Sequence, residues 1–183
     1  MSYSLVWFKR DLRWQDHMAL TQASQNGPVR CIYVIEPELW LQADTALQHF
    51  EFIRESLQDL DTHLRTLGGQ VEIHHGELSA VLTQIWNEAS FTGLFSHEET
   101  GNAWTFARDL KVASWCKEYS VAWHEFPQFG VVRRLKSRDL WQSAWEQHML
   151  LPQSHFETLR FWRPANKQAL AIAAPTHLKH NPP

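Results

Sequence analysis

The sequence predicts a doubly wound α/β domain with a five-stranded parallel sheet covered by helices on both faces. Three observations carry that reading. Short β-branched and aromatic runs alternate with helix-patterned segments through the first two thirds of the chain. The first two of these runs are almost continuously apolar, as strands buried on both faces of a parallel sheet must be. A single helical segment fills each gap, which is the connection a right-handed crossover between parallel strands requires.

The runs are Tyr3 to Phe8, Val29 to Ile35, Val71 to His74, Gly93 to Phe95 and Val121 to Phe126. Between the first two, a helix is expected from Asp16 to about Gln25, stopped by Asn26-Gly27. The clearest helix spans Thr45 to Leu67. Its residues Ala46, Phe50, Ile53, Leu57, Leu60, Leu64 and Leu67 recur three or four apart and form one face. Asp44 is placed to cap its first amides, and Gly68-Gly69 to end it in a left-handed turn. Two further helices, about Glu77 to Ala89 and Asn102 to Tyr119, complete the alternation.

The rhythm then changes. Gly130 to Leu135 reads as extended, and Ser137 as the N-cap of a helix to about Met149 with Leu140, Trp141, Ala144, Trp145 and Met149 on its apolar face. Beyond Leu151 the prolines at 152, 164, 175, 182 and 183 interrupt any periodicity, as in a tail or interdomain linker. The expected division is an α/β domain over residues 1–130, a basic segment and a helix packing on it over 131–150, and that tail over 151–183.

A chain of 183 residues, 44% hydrophobic and 20% charged, has the composition of a globular domain rather than a disordered segment. No apolar stretch approaches the roughly 20 residues that cross a bilayer, so no membrane association is expected. The opening MSYSLVWFKRD lacks a signal-peptide layout. Cys31 and Cys116 are too few for a disulfide framework, and a reducing cytoplasm is the expected setting. The net charge of −3 excludes a chain that coats nucleic acid over its whole surface. Ten tryptophans point first to packing, because a count alone says nothing of stacking on a ligand.

In an open parallel sheet ligands bind beyond the carboxyl ends of the strands, where the winding reverses. That places the loops after the first and fourth strands, Lys9 to Arg13 and Ser96 to Asn102, side by side. Lys9, Arg10 and Arg13 offer cationic donors next to a helix start that favours anions. Glu98 and Glu99 offer acceptors for ring N–H or hydroxyl groups. The same residues also suit a solvated turn with an internal Asp11 salt bridge and an acidic helix start. No GxGxxG or GxxxxGK[ST] motif is present, which excludes the standard dinucleotide and phosphate-loop sites. His74-His75 with Glu77, and His97 with Glu98, bring ligand-type residues together without HExxH or CxxC spacing, so no metal is expected. No GxSxG elbow supports a hydrolase. Arg133, Arg134, Lys136 and Arg138 form a second basic cluster, simplest as a solvated turn before a helix.

At the two loops the sequence becomes specific. LVWFKRDLR (Leu5 to Arg13), followed by Gln15-Asp16-His17 and then Met18-Ala19-Leu20, resembles the opening of DNA photolyases and cryptochromes. YVIEP (Tyr33 to Pro37) is similar to that family's second strand, Phe50 to Leu67 to its long helix, and EETGNAWTFARD (Glu98 to Asp109) to its fourth loop and helix. The resemblance covers about residues 3 to 149. It implies a flavodoxin-like, Rossmann-like domain that holds an antenna chromophore, which is a folate, a deazaflavin or FMN. In the family the antenna passes excitation to FAD in a helical C-terminal domain, which repairs pyrimidine dimers in damaged DNA or drives signalling.

Nothing in this sequence corresponds to the FAD-binding helices, so the domain is expected not to be catalytic alone, with the FAD domain as its partner in cis. Motif by motif, the resemblance implies antenna contacts at Lys9, Arg10, Asp11, Arg13, Glu36, His49, Glu98, Glu99 and Asn102. Gln48-His49 stands where many members carry Arg, and Gly130 to Trp145 resembles only a subset of them. Two other classes compete. One is a stand-alone signalling or interaction module without chromophore; the other is a nucleotide-binding enzyme of the adenine-nucleotide α-hydrolase type.

Overall fold

A computed structural model describes residues 2–128, 130–133, 135–168 and 170–178. Five strands, β1 (Ser4–Phe8), β2 (Val29–Ile35), β3 (Val71–His75), β4 (Gly93–His97) and β5 (Ala122–Phe126), pair in parallel in the order β3-β2-β1-β4-β5. Helices α1 (Met18–Gln25), α2 (Leu47–Thr66), α3 (Leu78–Glu88) and α4 (Ala103–Glu118) alternate with them, and α5 (Trp141–Met149) follows. This is the doubly wound architecture expected, in the Rossmann rather than the flavodoxin strand order. The chain winds outward from β1 to β3 and then crosses to β4 on the other side of β1. The winding therefore reverses between β1 and β4, which are hydrogen-bonded neighbours.

Every residue of β1, β2 and β4 is buried, which explains why these strands are mostly apolar. Alternate residues of β1 feed two cores, because side chains point to opposite faces with a period of two. Val6 and Phe8 join Leu20 of α1 and Phe50, Leu57, Leu60 and Leu64 of α2. Leu5 and Trp7 join Leu82 and Ile85 of α3 and Val112 and Trp115 of α4. Each fully buried large side chain contributes about 1.5–3 kcal/mol.

Several helix starts differ from expectation. Asp16 adopts a left-handed φ of 47°, and His17 becomes the cap of α1, with its Nδ1 accepting the Leu20 amide at 3.0 Å. Asp44 does not cap α2, whose flanking Ala46 offers no side-chain bond. Instead both Asp44 oxygens accept from Asn102 Nδ2 at 3.0 Å, because the fold brings the start of α4 across to the start of α2. The end of α2 is as expected, with Gly68 at φ +91° and the Gly69 amide donating to Leu64 O.

Among the described residues of 130–135 there is no strand, and Arg134 lies outside them. Ser137 caps a short 3-10 turn rather than α5 itself, and α5 buries none of its residues. Its expected apolar face is exposed at Leu140, Trp141 and Met149, where none of the described residues covers it. The proline-punctuated tail does pack. Phe161 pairs with Val29 at the start of β2, and Ile172 is buried in the α1/α2 core. His177 Nε2 lies 2.9 Å from Trp40 O.

Gly69 is the tightest point of that docking, since a Cβ there would sit 2.1 Å from the Phe161 ring. Gly69→Ala is therefore expected to cost about 1–3 kcal/mol by overpacking. Its signature is a lower urea midpoint, with faster proteolytic clipping inside the tail than in the parent chain.

Candidate functional site

The loop leaving β1 is pinned from below by Asp11, which is fully buried. Its Oδ1 accepts the Lys9 amide at 2.7 Å, and its Oδ2 lies 2.6 Å from His97 Nδ1 at the end of β4. His17 Nε2 lies 2.8 Å from the same oxygen, too far off its N–H axis for an aligned bond. Because His17 Nδ1 accepts from the helix, its proton belongs on Nε2, facing the carboxylate. One buried carboxylate thus ties β1, α1 and β4 together. Burial pushes the Asp11 carboxyl upward, but the close electrostatic contact of His17 and the hydrogen bond of His97 outweigh it and hold the group well below the usual range. Burial lowers His17, against the pull of Asp11.

Among the described residues these three form one cluster whose ligand-type atoms lie within 4.8 Å of one another. Their separations from Asp11 are those of proton-bearing contacts. A structural zinc centre takes four ligands, of which the described residues supply three, and a catalytic one keeps a position open to solvent, which this fully buried cluster does not.

Above this platform lies a crevice of about 580 Å³, within the range of small-molecule sites. Tyr33 of β2 and Glu36 just beyond its end line it, with Trp40, and Gln48, His49, Phe52 and Ile53 of α2 form the facing wall. Arg10, Arg13, Glu99, Asn102 and Arg108 complete it. The Asp44–Asn102 bond joins the α2 side to the α4 side.

Arg108 is the organising charge. Buried in α4, it donates to Glu36 Oε2 (3.1 Å), Glu99 Oε2 (2.6 Å) and Asp109 Oδ1 (2.9 Å), and its guanidinium lies 4.7 Å from the centre of the Trp7 ring. Glu36 is almost fully buried, and its other oxygen, Oε1, has no hydrogen-bond partner. Burial drives its carboxyl up to about 7, although Arg108 pulls the other way.

The candidate contacts divide. Arg10, Arg13, Glu36, His49, Glu99 and Asn102 border the crevice. Arg10 is mostly exposed at the mouth and pairs with Glu99 at 3.1 Å, while Arg13 donates to Asp16 O. Lys9 also borders it, but its ammonium is buried over Trp7, 4.1 Å from the ring centre, near Asp109 and Glu125. Burial lowers its pKa, partly offset by Asp109. Asp11 lies beneath the crevice in the histidine cluster. Glu98 faces a neighbouring groove, where Arg133 lies 3.7 Å away. Arg133 also bonds Glu125 and the Glu99 carbonyl, so this member of the second basic cluster is an ion-paired strap rather than a free cation.

Sequence reasoning missed Arg108, Tyr33, Trp40 and Phe52. A signal existed for the first. Arg108 falls on the buried stripe of Thr105, Val112, Trp115 and Cys116, and a charge on a buried stripe needs buried partners.

The fold and crevice define a doubly wound domain with a cavity of about 580 Å³ beside its topological switch point. The chain belongs to the DNA photolyase family, whose model matches residues 4–135. Chicken cryptochrome-2 (Gallus gallus) is 31% identical over 121 residues, which is 64% of this chain and 20% of that protein. Cryptochrome-1 of Sylvia borin is 28% identical over 63% of this chain and 18% of its own length. Among solved structures, a cryptochrome of Synechocystis superposes with a TM-score of 0.77 at 18% identity, covering 98% of this chain and 41% of that one. A photolyase of the archaeon Sulfolobus tokodaii, described with two FAD molecules and a novel light-harvesting cofactor, gives 0.69 at 20% identity over 91% of this chain and 39% of its own. The chain thus spans about a fifth of these curated relatives and about two fifths of the solved ones.

Proposed function

We propose that the crevice holds an antenna chromophore, and that the chain is the antenna domain of a deoxyribodipyrimidine photolyase or cryptochrome. The observation that carries this reading is the pairing of an aromatic-walled slot with an unpartnered buried carboxylate oxygen at Glu36, with exposed Arg10 and half-buried Arg13 at its mouth. Tyr33, Trp40 and Phe52 offer faces for a planar ring, while Arg10 and Arg13 suit the anionic tail of a folate or of FMN. The light-harvesting cofactor of the Sulfolobus photolyase supports the same class of ligand.

When bound, such a group supplies absorption of near-ultraviolet or blue light and passes on its excitation. This chain's residues bind and orient it and exclude water. The reading assigns no catalytic residue here. Chemistry on damaged DNA belongs to an FAD-binding domain in cis, with residues 131–150 and 151–183 as the connection from the α/β domain of residues 1–130. No helix of the described residues is long and apolar enough to cross a membrane, and the reading sets the protein in the cytoplasm.

Titrating the chain with FMN, methenyltetrahydrofolate and ATP tests this. Saturable binding of a chromophore with quenched emission is expected. Phe52→Ala, which removes an exposed stacking face worth about 0.5–1.5 kcal/mol, should weaken it about three- to tenfold. Tight ATP binding without uptake of either chromophore overturns the reading in favour of a nucleotide enzyme. No binding of any of the three favours an interaction module.

A further inference from the structure

The reading above leaves open what the crevice recognises in a ring, and the chemistry at its floor answers that. Glu36 follows directly on β2, is buried, and lines the cavity. Arg108 from α4 occupies Oε2 at 3.1 Å, and Oε1 is buried with no donor. The other charged or titratable groups around it are Glu99 from the β4–α4 loop and Tyr33 on β2, with Arg10 at the mouth. The Leu78 amide at the start of α3 also approaches the carboxyl as a donor and favours the ionised form, without closing a well-aligned bond to Oε1. A buried acceptor without a donor is costly, about 1–3 kcal/mol. A proton on the carboxyl relieves that cost in the empty crevice, and so does a ligand N–H.

We propose that Glu36 is the residue that selects the chromophore, its free oxygen accepting a ring N–H of a planar heterocycle, so that binding expels one proton from this side chain. The step balances. The O–H bond of the protonated carboxyl breaks, the proton passes to solvent, and the ligand N–H donates to the resulting carboxylate. Arg108 is a positioning residue in this scheme, since it fixes the carboxyl plane and leaves one oxygen for the ligand. Heterocycles with an imide or amidine edge are therefore preferred over those whose edge carries only acceptors.

This inference rests on the chromophore reading, and its test separates the two. Riboflavin is the probe, because it carries the imide N–H but lacks the FMN phosphate, which titrates near pH 6 and confuses the profile. With the group near 7 in the empty crevice, affinity should fall about thirtyfold between about pH 8.5 and about pH 5.5, approaching tenfold per unit for a single coupled proton. Glu36→Gln keeps the shape and a carbonyl acceptor but cannot titrate, and should give a flat profile. A riboflavin methylated at its imide nitrogen should bind the parent chain more weakly and without the slope. His49 lines the same cavity and stays in place in Glu36→Gln, so a dependence that survives in that variant overturns the assignment. A flat profile in the parent chain with riboflavin bound overturns the proton coupling alone. No binding of riboflavin, folate or deazaflavin at any pH overturns both readings.

Discussion

Arg108→Ala is expected to destabilise the domain by about 3–5 kcal/mol, the usual result of removing one partner from a buried ionic cluster. The side chains of Arg108, Glu36 and Glu99 are nearly inaccessible, so solvent does not take over the lost contacts. Alanine leaves Glu36, Glu99 and Asp109 gathered around a void, and also removes the cation from the Trp7 and Trp104 rings. Most of the cost is the uncompensated carboxylates rather than the net value of the pairs. Arg108→Met combined with Glu36→Gln and Glu99→Gln should therefore recover much of the stability, without restoring ligand binding. Urea midpoints followed by circular dichroism measure the first effect, and chromophore titration the second. A single Arg108→Ala variant as stable as its parent removes the central role given to this residue.

The second large effect is expected at Asp11. Asp11→Ala strips the acceptor from the Lys9 amide and His97 Nδ1, with the His17 Nε2 proton beside them. At about 1–3 kcal/mol for each of the three stranded donors, the sum of about 3–9 kcal/mol is comparable to the whole stability of a marginal domain. Little folded protein should be recovered at physiological temperature. Asp11→Asn is expected to be only partly better, because its amide sets N–H against N–H on one side.

The same cluster sets the acid response. Asp11 is held below its unfolded value near 3.9, so its contribution is present above that pH and disappears as pH falls through the folded value. His17 is lowered below about 6.5, so the unfolded chain takes up that proton first and stability declines as pH falls below about 6.5. Glu36 works in the opposite direction. Raised to about 7, it protonates first in the folded state and adds stability as pH falls from there toward its unfolded value near 4.3. Denaturation across this range should show a shallow profile in the parent chain and a steeper acid loss in Glu36→Gln. Identical slopes in the two proteins would contradict the opposing assignments.

Much of the fold was legible from local pattern. The five strands fall where β-branched and aromatic runs of three to seven residues lie, and α2 follows its three-four spacing to the Gly68-Gly69 stop. Helix starts were less legible, because capping depends on which polar group the tertiary structure leaves free. Asp44 had the chemistry of a cap but was taken by Asn102, 58 residues away. His17 was passed over because an imidazole caps only with its acceptor nitrogen turned to the helix, and Asp11 fixes that orientation. The apolar pattern of α5 was real, but a pattern cannot say whether anything covers it.

The candidate site divided along the same line. The sequence alone determined the elements and the parallel, doubly wound class of the sheet, because side-chain periods of 2 and 3.6 and the handedness of crossovers are local properties of the backbone, whereas the strand order β3-β2-β1-β4-β5 was decided by the tertiary structure. It also determined the family, through LVWFKRDLR and EETGNAWTFARD. Only the tertiary structure decided which polar residues face the crevice. It turned Asp11 and the Lys9 ammonium inward, sent Glu98 to Arg133, and joined Glu36 to Arg108 across 72 residues. A buried charge takes its partner from whatever the fold brings within about 3 Å, and at that range neither spacing nor composition specifies the pairing.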